Sequence, residues 1–149
     1  MSLHSYTRCW CHLIWGTENR QKLLTPAHRP RLAEFLQRYA HAKNIPIRVL
    51  HVNADHVHVL IDQPPEVPLT EITKLLKGAS SHWVNRERLI ATRFAWARGY
   101  GAFSVSESNV AKVVQYIENQ EEHHRTKTFG EEYEKFLTAH GINLRGENR

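Results

Sequence analysis

The chain has 149 residues, of which 41% are hydrophobic and 23% charged, a composition typical of one soluble globular domain. It has no run approaching the roughly 18 apolar residues that a membrane-spanning helix needs. This excludes a transmembrane helix, while the net charge of +5 favours polyanionic partners, above all nucleic acid.

The N-terminal segment lacks the features of a secretory signal. Residues 1–16, MSLHSYTRCWCHLIWG, have no basic start followed by an apolar run and a small-residue cleavage site. Cys9 and Cys11 flank Trp10, and a disulfide between them would close a very tight ring. We therefore expect reduced thiols and a cytoplasmic protein.

The first half of the chain predicts a strand, a helix and a hairpin. Residues 5–15 are rich in aromatic and β-prone side chains, as is typical of a strand. A helix should follow, with Thr25 as its N-cap, Pro26 at the first helical position and apolar residues at helical spacing. Residues 46–52 and 56–62 predict two strands joined by a short turn, and therefore a hairpin.

The second half predicts more helix than strand. Helical spacing indicates a helix from Thr70 to Arg88, one from near Ser108 through the two histidines of QEEHH, and one from Glu131 to Ala139. Residues 93–106 suggest two short strands broken at RGYG. The order β-α-β-β-α-β(β)-α-α predicts a single α+β domain over residues 1–149, with a ferredoxin-like antiparallel sheet and helices packed on it.

Two histidines interrupt the apolar pattern of the strand in DHVHVLID. Because side chains alternate along a strand, His56 and His58 share one face, while Val57, Val59 and Ile61 point to the other. Two neutral imidazoles on one face can bind one divalent ion. In a chain with 11 histidines, surface or hydrogen-bonded histidines are the alternative interpretation, and the motif alone favours it.

The helix containing QYIENQEEHH offers a hydroxyl and an amide. Tyr116 and Gln120 are four residues apart and so lie on one face, beside the apolar stripe. In isolation they are a boundary tyrosine and a solvated glutamine. With His56 and His58, however, Gln120 would complete an open three-ligand site that suits Mg²⁺ or Mn²⁺ better than structural zinc. Asp55 either orients a histidine or belongs to the turn.

Four segments together carry a family resemblance: DHVHVLID, LLKGASSHWVNR, WARGYGAFSVSES and VVQYIENQEEHH. In this order they resemble the single-tyrosine HUH transposases of the insertion sequence 200/605 family. The resemblance implies cleavage and rejoining of single-stranded DNA through a 5′-phosphotyrosine link, with Tyr116 as nucleophile and His56, His58 and Gln120 as ligands of Mg²⁺ or Mn²⁺. It also implies a homodimer in which the tyrosine helix of one subunit completes the metal site of the other, and a DNA hairpin as partner.

Basic residues interleaved with aromatic ones suggest where unpaired DNA would bind. The alternative is that aromatic residues such as Trp83 and Trp96 belong to the core, which we favour for these two, and that the charges form a solvated face. The predicted DNA-binding residues are Lys74, Lys77, Arg86, Arg93 and Arg98.

Other functions remain open at this point. One is a non-mobile relative that binds or processes repetitive palindromic DNA hairpins, and another is a replication-type nicking enzyme. A small zinc hydrolase using His56, His58 and a cysteine is a third. No general base for Tyr116 can be identified, and His123 and His124 are candidates only by nearness along the helix.

Overall fold

The computed structural model describes residues 5–142, which form a four-stranded antiparallel sheet covered by helices on both faces. This confirms the predicted α+β fold with an antiparallel sheet. In the described range no helix is both long and apolar enough to cross a membrane. The strands are β1 (Trp10–Gly16), β2 (Ile47–Val52), β3 (His56–Asp62) and β4 (Gly101–Ser104). The helices are α1 (Arg29–Ala42), α2 (Leu69–Arg86), α3 (Val110–Glu118), α4 (Gln120–His123) and α5 (Phe129–Ala139).

The histidine-bearing strand β3 lies inside the sheet, whose strand order is β2-β3-β1-β4. β2 and β3 form the predicted hairpin, with Val52 opposite Val57. On its other side β3 pairs with β1 along its whole length, from Gly16 opposite His56 to Trp10 opposite Asp62. A central strand is covered on both faces, and six of the seven residues of β3 are accordingly buried.

One face of the sheet forms the main hydrophobic core. The apolar residues of β3 that alternate with the histidines, Val57, Val59 and Ile61, are fully buried there against α1 and α2. Trp83 and Trp96 belong to the same cluster, which confirms that they are core residues. Burial of this face fixes the register, because a shift of one residue would send the histidines into the core.

The opposite face carries the histidines between two smaller apolar clusters. In one cluster, Leu60 packs against Ile117 and its neighbours on α3. In the other, Ile14 and Phe103 pack against Phe129 and Leu137 of α5. These two helices therefore bring polar side chains to His56 and His58 from both sides.

Four predicted elements differ from the structure. The first strand begins at Trp10 rather than at residue 5. Helix α1 begins at Arg29 rather than after Thr25, whose carbonyl accepts hydrogen bonds from the next turn. The helix predicted through QYIENQEEHH is interrupted at Asn119, which separates α3 from α4. Of the two strands predicted over residues 93–106, only β4 forms, and Trp96 makes a single bridge to Thr17.

Candidate metal and nucleophile site

The two histidines of β3 are fully buried and each is held through its Nδ1 atom. His56 Nδ1 lies 2.6 Å from Asp55 Oδ1. His58 Nδ1 lies 2.8 Å from Nε2 of His12, which projects from the neighbouring strand β1. Both contacts leave the Nε2 atoms of His56 and His58 directed towards the same space beneath α3 and α5. Asp55 thus has the histidine-orienting position, and its backbone carbonyl also accepts a hydrogen bond in the turn.

Three side chains from α3, α4 and the residue after α4, each four residues from the next, lie at this space. The side-chain amide of Gln120 donates to the Tyr116 carbonyl, 3.2 Å away. Its Oε1 atom accepts from Asn53 Nδ2 and lies 3.1 Å from His124 Nε2. The Tyr116 ring is 5.9 Å from that of His58. The structure therefore brings the predicted residues Tyr116 and Gln120 together with the histidine pair of their own chain.

Glu132 of α5 closes the site from the other side and is only 3% exposed. Its Oε1 atom lies 3.1 Å from His56 Nε2 and 3.0 Å from the Nε2 atoms of both His58 and His124. Its Oε2 atom accepts a hydrogen bond from the Tyr116 hydroxyl. The ligand atoms of Glu132 and the three histidines lie within 4.8 Å of one another, so this cluster could hold a metal ion.

The hydrogen bonds around the cluster indicate that a cation fits there. His124 Nδ1 contacts the Lys127 carbonyl at 2.8 Å, and a carbonyl only accepts, so this nitrogen carries the proton. The Nε2 atom of His124 faces Glu132 Oε1 and Gln120 Oε1, at 3.0 and 3.1 Å, and the hydrogen bond with Glu132 raises the pKa of His124. Positive charge, carried by the imidazole ring or by a bound cation, offsets the negative charge of the carboxylate at this point. Ligand atoms at bonds of about 2.1 Å on an octahedral ion are also about 3.0 Å apart when adjacent.

The protonation states agree with a cation-binding site. Burial lowers the pKa of His58 to about 4, so this imidazole is neutral at pH 7 and free to act as a ligand. Burial raises the pKa of the Glu132 carboxyl, but hydrogen bonds from His124, His56 and His58 outweigh it and bring that pKa well below its usual range. Burial and the adjacent Glu132 carboxylate raise the pKa of Tyr116, which is therefore protonated.

Phe129 fixes the start of α5 against the histidines. Its ring stacks on that of His56, with centroids 4.0 Å apart and planes at 8°. Gly16 provides the room, because a Cβ atom there would lie 2.5 Å from the Phe129 ring. The stacking holds α5 close enough for Glu132, one turn further along, to reach the cluster.

The predicted DNA-binding residues lie along α2 and the segment after it. Lys77, Arg93 and Arg98 line a groove of about 480 Å³ between them, and Lys74 lines a separate cavity of about 660 Å³. Lys77 also donates to the Ala97 and Gly99 carbonyls at 2.8 and 2.7 Å, so it supports this segment. Arg86 is exposed beside Glu87, at 3.5 Å.

The two cysteines do not join the histidines. Cys11 is buried in the main core, on the face of the sheet opposite His56 and His58. Burial raises the pKa of its thiol to about 11, so it is not a thiolate ligand at neutral pH. Cys9 is exposed and precedes β1. This geometry removes the basis for a zinc hydrolase with a cysteine ligand.

Sequence reasoning missed several residues of the site. His124 continues the four-residue spacing of Tyr116 and Gln120, so the sequence does contain a signal that places it beside them. The prediction names it only as a candidate general base for Tyr116. His12 and Asn53 are placed by pairing between strands and by the hairpin turn. Glu132 is one of several acidic residues in GEEYEKF, and nothing local distinguishes it.

Comparison with known proteins identifies relatives over most of the chain. The family model described as "Transposase IS200 like" matches residues 5–120. The transposase for insertion sequence element IS200 of Salmonella typhimurium is 27% identical over 122 residues, which are 78% of this chain and 80% of the relative. The ISDra2 transposase TnpA of Deinococcus radiodurans is 30% identical over 115 residues, or 73% of this chain and 81% of the relative.

Solved structures show the same fold. A crystal structure of a putative transposase from Deinococcus radiodurans has a TM-score of 0.66 and 28% identity, covering 80% of this chain and 96% of that one. A REP-associated tyrosine transposase bound to a REP hairpin has a TM-score of 0.60, covering 83% of this chain and 74% of that one. At 15% identity, this second likeness concerns the fold alone.

Proposed function

The chain belongs to the IS200-like transposase family, and on that basis we propose that it cleaves and rejoins single-stranded DNA at transposon ends. The proposed intermediate is a 5′-phosphotyrosine link on Tyr116. The observation that carries the proposal is the placement of the Tyr116 hydroxyl at Glu132, whose carboxylate also contacts three imidazoles. A tyrosine nucleophile thus lies beside a cluster able to hold a metal ion.

The chemistry assigned to Tyr116 is a transesterification. Its hydroxyl oxygen attacks the scissile phosphorus, forms the Oη–P bond and breaks the bond from phosphorus to the 3′ oxygen. The phenol loses one proton and the departing 3′ oxygen gains one, so no further reactant is needed. Because the phosphotyrosine ester retains the bond energy, a DNA 3′-hydroxyl can attack it and release Tyr116 with new DNA ends joined.

The proposed metal ligands are His56, His58 and Gln120, as the family resemblance implies, and we add His124, whose Nε2 atom lies 3.0 Å from Glu132 Oε1. A divalent ion, Mg²⁺ or Mn²⁺, would supply the positive charge that polarises the scissile phosphate. Asp55 would keep the Nδ1 proton on His56 and so leave Nε2 available as a ligand. His12 would do the same for His58.

The DNA strand is proposed to reach this site along the basic groove after α2. Lys77, Arg93 and Arg98 line that groove, while Lys74 and Arg86 extend the basic surface of α2. Arg98 also lines a cavity of about 140 Å³ that includes Arg20 and Phe129. This cavity therefore ends at the Phe129 ring that stacks on His56. Phe94 and Trp96 are buried, so phosphate contacts rather than stacking on these rings are expected.

The proposed partner is single-stranded DNA containing a hairpin, processed by a cytoplasmic enzyme. The fold shared with the hairpin-bound tyrosine transposase is compatible with this substrate. The homodimer that the resemblance implies stays a prediction. As for the sharing of active sites between subunits, Tyr116 here meets the histidine cluster of its own chain through Glu132, which favours assembly within one subunit.

The test uses 5′- and 3′-labelled single-stranded hairpin DNA from the sequence flanking the gene, with Mg²⁺ or Mn²⁺. We expect a protein–DNA adduct that survives denaturing electrophoresis and carries, through its 5′ phosphate, the DNA on the 3′ side of the break. EDTA and Tyr116→Phe should each abolish the adduct. Tyr39→Phe, which removes a hydroxyl from α1 on the other side of the sheet, should leave it unchanged.

Two outcomes would contradict the proposal. An adduct that persists in Tyr116→Phe would exclude this tyrosine as the nucleophile. Tight hairpin binding without any adduct from the wild-type protein, with both metals and several substrates, would favour the non-mobile relative that binds palindromic hairpins.

A further inference from the structure

The Glu132 carboxylate contacts both the histidine cluster and the proposed nucleophile, one oxygen for each. Oε1 lies 3.0–3.1 Å from the Nε2 atoms of His56, His58 and His124, and Oε2 accepts from the Tyr116 hydroxyl. A carboxylate is costly to bury unless it is paired, and this one is 3% exposed. The buried Glu132 carboxylate therefore needs a positively charged partner inside the cluster.

We propose that Glu132 is a catalytic residue, with Oε1 binding the divalent ion beside the imidazoles and Oε2 holding the Tyr116 hydroxyl next to that ion. This inference rests on the proposed function, because it gives Glu132 a role at the same ion and the same tyrosine. It supplies the anionic ligand that the neutral set of His56, His58 and Gln120 lacks.

Three Nε2 atoms grouped around one carboxylate oxygen form an arrangement that suits a metal ligand. In the absence of an ion, Oε1 can accept hydrogen bonds from Nε2–H groups of the imidazoles. His124 has its Nδ1 on a carbonyl oxygen and His56 has its Nδ1 on the Asp55 carboxylate. These contacts hold a proton on Nδ1 and leave Nε2 as the atom of each ring that faces Oε1. A cation bound between the Nε2 atoms and Oε1 satisfies all of them at the observed separations.

The second oxygen has a consequence for the tyrosine. The hydrogen bond to Oε2 fixes the direction of the Tyr116 hydroxyl, and the aromatic ring is held between His123, at 4.4 Å, and Phe136, at 5.5 Å. Rigid placement of a nucleophile beside the reacting centre contributes to catalysis by reducing the entropy lost on reaction. Glu132 would thus set the distance between nucleophile and metal.

The experiment measures Mn²⁺ binding and adduct formation separately. Isothermal titration calorimetry with Mn²⁺ alone compares the wild type with Glu132→Gln, which keeps the shape of the side chain but loses the charge. Glu134→Gln is the matched control, because it makes the same change at an exposed position of α5. We expect Glu132→Gln to weaken Mn²⁺ binding at least 10-fold and the control to change it less than twofold. At saturating Mn²⁺, Glu132→Gln should slow adduct formation on hairpin DNA at least 10-fold.

A second variant keeps the test valid if Glu132→Gln is poorly folded. Glu132→Asp retains the charge but is one methylene shorter, so Mn²⁺ binding should persist while adduct formation slows. Unchanged Mn²⁺ affinity in Glu132→Gln would overturn the ligand role. Faster adduct formation in that variant would show instead that the carboxylate obstructs the phosphate. A wild-type protein that binds Mn²⁺ but forms no adduct would contradict the proposed function without contradicting the metal role of Glu132.

Discussion

Replacing Asp55 by asparagine tests the proposal that Asp55 orients His56 as a metal ligand. The Asp55 carboxylate lies 2.6 Å from His56 Nδ1, and its side chain is 12% exposed, so the contact is largely protected from water. A carboxylate accepts the Nδ1 proton and leaves Nε2 as the ligand atom. Asparagine has no charge, and its amide can turn an N–H towards Nδ1 and so favour the tautomer with a protonated Nε2.

The expected effect follows from this tautomer shift. Removing a carboxylate that orients a metal-binding histidine typically weakens metal affinity by about 10- to 100-fold. That range corresponds to about 1.4–2.8 kcal/mol of binding free energy. Fold stability should change less, because the Asp55 carbonyl that accepts from the Thr17 amide is unaffected by the substitution.

The assay is a calorimetric Mn²⁺ titration of Asp55→Asn against the wild type. Asp62→Asn is the matched control, because Asp62 lies at the far end of β3 and pairs with Arg8 at 3.4 Å. We expect the control to bind Mn²⁺ as the wild type does. A dissociation constant for Asp55→Asn within twofold of the wild-type value would refute the argument that Asp55 selects the tautomer of His56.

The remaining predictions concern stability and assembly. In EDTA, unfolding by urea should become easier as the pH falls from 7 towards 4, because burial lowers the pKa of His12 and brings that of His58 to about 4. The unfolded chain then binds protons at a higher pH than the folded protein does, so the free energy of unfolding falls, with His58 alone contributing on the order of 3 kcal/mol. A free energy of unfolding that stays constant over this pH range would contradict the burial argument. Ile117→Ala, at a fully buried position against Leu60, should lower the unfolding free energy by about 2–5 kcal/mol in the same assay. Mixing Tyr116→Phe with His56→Ala subunits should not restore adduct formation, because Tyr116 contacts Glu132 of its own chain and we propose that each site is assembled within one subunit; restored adduct would show exchange between subunits.

The sequence was sufficient for the parts of the site that depend on local periodicity. Alternation along β3 separates His56 and His58 from the valines, because both faces of a central strand are buried and the register cannot slip. The four-residue spacing of Tyr116 and Gln120 places both on one side of their helix, even though the helix is interrupted between them at Asn119.

The parts that depend on contacts between distant segments could not be predicted. His12 reaches His58 only because β1 pairs with β3, and Glu132 reaches the cluster only because Phe129 and Leu137 attach α5 to the sheet. The strand expected around Trp96 did not form because the Asn85 side chain binds both the amide and the carbonyl of Phe94. Such tertiary hydrogen bonds override the local preference for a strand.

Identification of the DNA-linked peptide tests the central claim most directly. After reaction with single-stranded hairpin DNA and Mn²⁺, nuclease and trypsin digestion should leave a nucleotide on the peptide of residues 113–125, VVQYIENQEEHHR, in which Tyr116 is the only tyrosine. Mass spectrometry should place the 5′ phosphate on the Tyr116 side chain. Attachment to a different residue, or DNA cleavage that leaves no linked peptide, would contradict the assignment of Tyr116 as the nucleophile.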